Sequence, residues 1–184
     1  MRLFSLFMLI LAPLTIFAAP QASLVTAPLL STAPVINGDI VPGEWDQAAT
    51  TCGFRDITSG FPAQAVTRIT TGYDAKALYL LWQCSGETAI KRMGKANGPR
   101  DSAVWNDSTA EFFIAPEKWN MDKYAHFMFS HAGVIADELC EKSAKDLGWN
   151  PAWQIAVSGN DTDWFAEVAI PWASLDVMQP AVDQ

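Results

Sequence analysis

The stretch 105–114 carries the residues whose chemistry stands out: Trp105, Asp107 and Glu111 lie just before and inside an apolar segment. The apolar residues predict a strand, and a strand that only filled a core has no reason to carry a carboxylate in its middle. A tryptophan ring can stack on the apolar face of a pyranose, and a carboxylate can accept hydrogen bonds from sugar hydroxyls. These side chains are therefore predicted to form a sugar-binding surface.

Two of these residues have a structural alternative. Trp105 could be a strand-edge aromatic that seals the core, and Glu111 could be a partly buried carboxylate paired with Arg68 or Arg100. A tryptophan face that hides about 100 Å² gains roughly 2–3 kcal/mol. A dissociation constant near 1 mM needs about 4 kcal/mol after ordering costs. Trp105 therefore needs a second wall or several hydrogen bonds before it can hold a sugar.

The chain contains eight tryptophans, and their positions predict different roles. Trp149, which precedes Asn150 in a polar loop, is the better candidate for a second sugar platform, and Trp119 is the weaker one. The remaining five sit on apolar faces or at the ends of elements and are predicted to be core: Trp45, Trp82, Trp153, Trp164 and Trp172.

Composition and charge exclude several classes. The chain has 184 residues and a net charge of −8, which argues against a nucleic-acid partner because phosphate binding needs clustered Lys and Arg.

Residues 1–19 are typical of a secretory signal peptide, which predicts a secreted or periplasmic protein with no membrane span after signal removal. Cys52, Cys84 and Cys140 make an odd count, which leaves one of them without a partner in this chain if the other two pair.

The strand pattern predicts an all-β fold. Residues 20–34 are predicted to be a flexible, extended leader, and one domain is expected over 35–184. Hairpins are predicted at 65–84, around a turn at 74–76, and at 124–137, around a turn at 131–133. A third hairpin is predicted around the turn at 159–162, and 137–148 is predicted to be a charged connection. About seven short strands with regular turns indicate a two-sheet antiparallel β-sandwich of jelly-roll or immunoglobulin-like type.

The order of five motifs resembles the family-9 carbohydrate-binding module. Residues 35–48 resemble "I-D-G-x-x-D-x-x-W-x-x-A", 73–80 resemble "Y-D-x-x-x-L-Y-L", and 105–114 resemble "W-x-D-D-S-V-E-x-F-I". Residues 126–137 resemble a hairpin "F-x-x-N-x-x-G-x-x-x-D", and 164–175 resemble "W-x-x-E-V-A-I-P-W-x-S-L". The resemblance implies a β-sandwich whose last strands are missing after Gln184, so that the chain is truncated relative to the family.

The resemblance also implies roles for residues. Trp105 matches one wall of an aromatic clamp, and Glu111 matches a carboxylate that bonds sugar hydroxyls. Met128 falls where some sugar binders carry an arginine, and Ser108 replaces an acid. The implied partner is an oligo- or polysaccharide of glucan or xylan type, and the implied setting is a polysaccharide-degrading system in which a glycoside hydrolase domain is a further partner. The resemblance implies a non-catalytic role, with a structural calcium ion as a further expectation.

The sequence leaves two other classes of function open. A β-sandwich without sugar binding would serve as a structural or protein-interaction module. A haem-binding electron-transfer sandwich would use His126 or His131 with Met121 or Met128 as ligands.

Overall fold

The computed structural model describes residues 24–86, 98–115 and 122–175. The predicted signal peptide, Trp119 and Met121 lie outside these ranges. Nine strands and two short 3-10 turns, at Val104–Asn106 and Trp172–Leu175, make up the described structure. The strands are β1 Ala49–Thr51, β2 Val66–Tyr73, β3 Ala77–Ser85, β4 Thr109–Ile114, β5 Lys123–Ser130, β6 Ile135–Glu141, β7 Ala144–Asp146, β8 Gln154–Gly159 and β9 Asp163–Pro171.

The strands form two antiparallel sheets, which confirms the predicted sandwich. One sheet has the order β1-β2-β3-β9-β8, and the other has the order β4-β5-β6-β7. The three predicted hairpins are present as β2-β3, β5-β6 and β8-β9. Strand β3 lies between β2 and β9 in the five-stranded sheet, as its two apolar faces predicted.

The inner faces of the two sheets share one apolar core. Phe127 and Phe129 from the four-stranded sheet are fully buried, and the Phe129 ring lies 5.7 Å from the Trp82 ring of the other sheet. The five tryptophans predicted as core are confirmed: three are buried, and Trp45 and Trp172 pack partly buried against apolar clusters. This core fixes which residues of β4, β5 and β6 face outward.

A buried carboxylate ties the start of the domain to β9. Glu167 is fully buried, and its Oε2 accepts hydrogen bonds from the backbone N–H groups of Asn37 at 3.1 Å and Gly38 at 2.8 Å. Its Oε1 accepts one from the indole of Trp45 at 3.3 Å. Gly38 has φ of +82°, a conformation that favours glycine. The sequence motifs at 35–48 and 164–175 are therefore joined by the hydrogen bonds of Glu167.

Part of the predicted leader is held against the sheet. Leu30 is buried in a small cluster with Ala77, Tyr79 and Ala169, and its backbone N–H donates to the carbonyl of Tyr73 at 2.7 Å. These contacts belong to the described part of the predicted leader, residues 24–34, whereas residues 20–23 lie outside the described ranges. Pro34 is also buried, and the backbone N–H of Ser31 donates to Gln47 Oε1 at 2.9 Å.

The predicted connection at 137–148 is wrong over 137–146, which two paired strands and the turn between them occupy. Strand β6 continues to Glu141, and a two-residue turn leads into β7. Lys142 and Ser143 have φ of +47° and +72°, the backbone of a tight hairpin turn. Neither residue is glycine or asparagine, so the usual sequence signal for this turn is absent.

None of the helical elements in the described ranges is long and apolar enough to cross a membrane.

Candidate functional site

The outer face of the four-stranded sheet carries the candidate site. The strand register places Glu111, Met128 and Ala136 side by side across β4, β5 and β6. The next outward row contains Phe113, His126 and Glu138. Neighbouring side chains on one face of a sheet are close enough to interact. Each row therefore combines apolar side chains with titratable groups, and Glu111 lies in the first row beside Met128.

The turn before β4 holds Trp105 over this face. Val104 is 1% exposed and packs with Met128, Val134 and Ala136, so it anchors the turn to the sheet. The carbonyl of Val104 accepts hydrogen bonds from the Asp107 backbone N–H at 2.9 Å and from the Thr109 hydroxyl. The adjacent Trp105 is 60% exposed. The buried Val104 therefore anchors the backbone from which the exposed Trp105 indole projects.

A cavity of about 510 Å³ opens on this face. This volume lies within the range of small-molecule binding sites. Trp105 enters it from a turn that contacts β4 and β5, whereas Leu147, 66% exposed, follows β7 at the opposite edge of the sheet. The two exposed apolar side chains therefore border the cavity from opposite edges. The lining comprises Asp101, Trp105, Glu111, His126, Met128, Ala136, Asp137, Glu138, Lys145 and Leu147.

Four charged or titratable side chains form a chain of contacts across the cavity. His126 Nε2 lies 3.1 Å from Glu111 Oε2, and His126 Nδ1 lies 2.8 Å from Glu138 Oε1. Lys145 Nζ donates to the same Glu138 oxygen at 2.6 Å. The His126 ring is therefore held from both sides by carboxylates, and the Glu111 side chain, 41% exposed, is held at one oxygen.

These contacts shift the pKa values of two groups. Burial alone would raise the pKa of the Glu138 carboxyl, but the hydrogen bonds from Lys145 and His126 outweigh burial and hold this pKa below its ordinary value. The hydrogen bond to Glu138 raises the pKa of the Lys145 ammonium. Glu138 is therefore ionised and Lys145 is charged at neutral pH.

A second carboxylate supports the cavity from the core side. Asp137 is opposite Phe127 in the register, and its Oδ2 accepts from Arg100 at 2.5 Å and from the Trp153 indole at 3.1 Å. Burial raises the pKa of Asp137, and the two hydrogen bonds lower it without reversing the shift. Arg100 therefore pairs with Asp137, which removes it as the alternative partner considered for Glu111.

The structure brings two of the four predicted site residues together. Trp105 and Glu111 line the same cavity, and the pairing partner of Glu111 is His126. Asp107 lines a neighbouring cavity of about 340 Å³. Trp149 is partly buried, with its ring 5.7 Å from the Phe127 ring. Asp107 and Trp149 thus lie outside the Trp105 cavity.

Eight of the ten lining residues were not predicted as site residues, and three of these eight form the chain of polar contacts with Glu111: His126, Glu138 and Lys145. The outward position of His126 follows from the alternation of the predicted strand β5, whereas Glu138 fell in the wrongly predicted connection at 137–148. The position of Lys145 could not be predicted from the sequence, because the turn before β7 has no sequence signal.

The haem hypothesis finds no support at His126. Both of its ring nitrogens contact carboxylates, so neither can bind iron without breaking one of these contacts. Within the ranges 24–86, 98–115 and 122–175, no group of three or more His, Cys, Asp or Glu residues is arranged to hold a metal ion. Calcium also uses backbone and amide oxygens as ligands, so the calcium expectation stays a prediction.

Solved structures with the same fold include proteins that bind sugars. A candidate carbohydrate-binding protein from Bacteroides uniformis matches with a TM-score of 0.60 at 17% identity, over 86% of this chain and 79% of its own. A family-9 carbohydrate-binding module from Caldicellulosiruptor kristjanssonii in complex with cellotriose matches with a TM-score of 0.55 at 15% identity, over 79% and 66%. The same kind of module from that organism, in complex with glucose, matches with a TM-score of 0.58 at 14% identity, over 84% and 70%. At such identities the likeness shows the fold alone.

Among curated protein sequences, none matches this chain. The family model described as "Carbohydrate family 9 binding domain-like" matches residues 36–184, which is most of the sequence. Together with the sandwich fold, this match confirms the family expected from the five motifs: the chain belongs to the carbohydrate family 9 binding domain-like family.

Proposed function

We propose that this protein is an exported, non-catalytic module that binds a glucan- or xylan-type glycan in the cavity beside Trp105. The sugar ring stacks on Trp105, and its hydroxyls donate to Glu111. Leu147 forms an apolar second border in place of an aromatic one. The module serves a polysaccharide-degrading system, with a glycoside hydrolase as its working partner.

The observation that carries this proposal is the exposure of Trp105 and Glu111 in one cavity. An indole that is 60% exposed on a turn anchored by Val104 can offer a ring face to a ligand. The Glu111 carboxylate shares one oxygen with His126 and stays 41% exposed, so it keeps lone pairs for hydroxyl donors. Stacking and hydrogen bonding can therefore act on the same sugar.

The expected affinity is modest. Stacking on one indole gains roughly 2–3 kcal/mol, and one or two hydrogen bonds to a charged acceptor add about 1.5–3 kcal/mol each. These gains must exceed the cost of ordering the ligand. The largest sum of gains, about 9 kcal/mol, less an ordering cost of at least about 4 kcal/mol, leaves about 5 kcal/mol, so we expect dissociation constants of about 0.2–1 mM.

Titration of tryptophan fluorescence with cello- and xylo-oligosaccharides tests the proposal. The native protein should show a saturable change, and Trp105→Ala should abolish it. Phe61→Ala is a matched control, since it removes a 72% exposed aromatic residue from the loop between β1 and β2. An unchanged response in Trp105→Ala, or no response of the native protein at 10 mM sugar (about ten times the weakest expected constant), contradicts the proposal.

A second candidate is a sandwich that serves as a structural or protein-interaction module. The apolar floor favours it: Met128, 6% exposed, occupies the position where the resemblance implies an arginine, and Ala136 lies beside it. This candidate predicts a folded protein that responds to no oligosaccharide, so the same titration separates the two functions.

A further inference from the structure

Phe113 is the next outward residue after Glu111 on β4, and it lies outside the cavity lining. Its side chain is 59% exposed, although phenylalanine in a strand is usually buried. One face of the ring stacks on the His126 imidazole, with centroids 4.1 Å apart and an interplanar angle of 17°. The Tyr124 ring meets it edge-on at 5.8 Å.

The position of β4 determines where the other face of Phe113 points. Among the described strands, β4 is an edge strand with β5 as its one neighbour. His126 belongs to β5 and covers the side of the ring toward that strand. The opposite ring face therefore points past the edge of the sheet, which agrees with the exposure of the residue.

The partner beneath Phe113 is held firmly. His126 contacts Glu111 through Nε2 and Glu138 through Nδ1, and Glu138 is held in turn by Lys145. A ring stacked on an immobilised imidazole has little rotamer freedom to lose when a ligand covers it. Such preorganisation lowers the cost of binding.

From this geometry we propose that Phe113 is a second sugar-stacking platform. The proposal rests on the function proposed above and deepens it, because it names the ligand class as an oligosaccharide of at least two consecutive units. One unit occupies the Trp105 cavity, and the next stacks on the open face of Phe113. Outward residues two apart on a strand are about 6.8 Å apart, a step comparable with one pyranose unit, so Glu111 and Phe113 can serve adjacent units.

The second platform makes affinity depend on ligand length. Covering about 50 Å² of apolar surface on Phe113 strengthens binding about eightfold. Cellotriose and xylotriose should therefore bind the native protein about five to ten times more tightly than glucose and xylose.

Titration calorimetry on the full chain with these four sugars tests the inference. In Phe113→Ala, the affinity for the trisaccharides should fall to near that for the monosaccharides, which should change less than twofold. Phe113→Tyr keeps a planar ring and should retain the length preference, whereas Phe113→Leu keeps apolar bulk without a ring and should lose it. Phe61→Ala again controls for loss of an exposed aromatic residue elsewhere.

The outcomes separate this inference from the proposed function. If the native protein binds monosaccharides and trisaccharides equally, or if Phe113→Ala keeps the length preference, the second platform is wrong while sugar binding stands. If Phe113→Leu matches Phe113→Tyr, stacking on the ring is wrong. If none of the four sugars binds, both the platform and the proposed function are overturned.

Discussion

Glu111 shows how a single residue combines a structural contact with an open acceptor. Its carboxylate holds His126 at 3.1 Å and remains 41% exposed beside Trp105. A core carboxylate such as Glu167 has, by contrast, both oxygens occupied by donors of the protein. The difference in exposure distinguishes a ligand-facing acid from a structural one within the same fold.

Replacing Glu111 by glutamine should weaken sugar binding without unfolding the protein. The amide keeps one acceptor oxygen but loses the charge that strengthens the hydrogen bond, a difference of about 1 kcal/mol or fivefold in dissociation constant. Calorimetric titration of Glu111→Gln with cellotriose measures this change. Glu141→Gln, an exposed carboxylate at the end of β6, is the matched control. Equal affinity of Glu111→Gln and the native protein contradicts a role of Glu111 in binding.

Among the elements, β6 and β7 are joined on the outer face by the contact between Glu138 and Lys145. The pKa of Glu138 is lowered from its ordinary value of 4.5. Its ionised form therefore contributes stability that is present above pH 4.5 and is lost as the pH falls through the lower folded-state value. The buried Asp137 affects the pH dependence of stability in the opposite direction, because its raised pKa means that protonation favours the folded state.

Glu138→Gln should make the protein less sensitive to acid. The free energy of unfolding of the native protein should decline below pH 4.5 more steeply than that of Glu138→Gln, because the variant has no such proton to bind. Urea unfolding at several pH values between 3 and 7 measures both slopes, with Glu141→Gln as the control for loss of a carboxylate. Identical slopes in the native protein and Glu138→Gln mean that this ion pair adds nothing to the acid dependence.

The contact between the N-terminal segment and β9 is an element-scale feature of stability. Glu167→Ala leaves the N–H groups of Asn37 and Gly38 and the Trp45 indole without their acceptor. A buried donor left unsatisfied costs about 1–3 kcal/mol, and Gly38 and Trp45 are partly buried whereas Asn37 is exposed, so we expect a loss of about 2 kcal/mol or more. Glu167→Gln keeps one acceptor oxygen and should lose less. Equilibrium unfolding in urea gives both values, and a loss below 1 kcal/mol in Glu167→Ala is the contradictory result.

At the scale of the whole molecule, the sequence predicted the strands that carry regular alternation. The hairpin at β2-β3 was predictable because Asp74 accepts from the backbone of Lys76 and Ala77, a turn that its side chain specifies locally. The turn at Lys142 and Ser143 was not, since its positive φ angles are imposed by pairing of β6 with β7. A turn specified by a local side-chain hydrogen bond was therefore predictable from the sequence, whereas a turn specified by the pairing of two strands was not.

The same division applies to the candidate site. Trp105 and Glu111 were predicted because an indole and a carboxylate are unusual around an apolar strand. The exclusion of Asp107 and Trp149 from their cavity depends on the turn at Val104–Asn106 and on packing against Phe127. The turn is anchored by packing of Val104 against Met128 and Ala136, and this packing and the Trp149–Phe127 contact join separate segments, which spacing along one segment does not encode.

The most direct test of the central claim follows the indole N–H signals of the eight tryptophans by NMR during addition of cellotriose or xylotriose. The Trp105 signal, assigned by its absence in Trp105→Ala, should shift with saturation, while the signals of the buried Trp82 and Trp164 should stay in place. A Trp105 signal that stays unmoved at millimolar trisaccharide contradicts sugar binding at this surface.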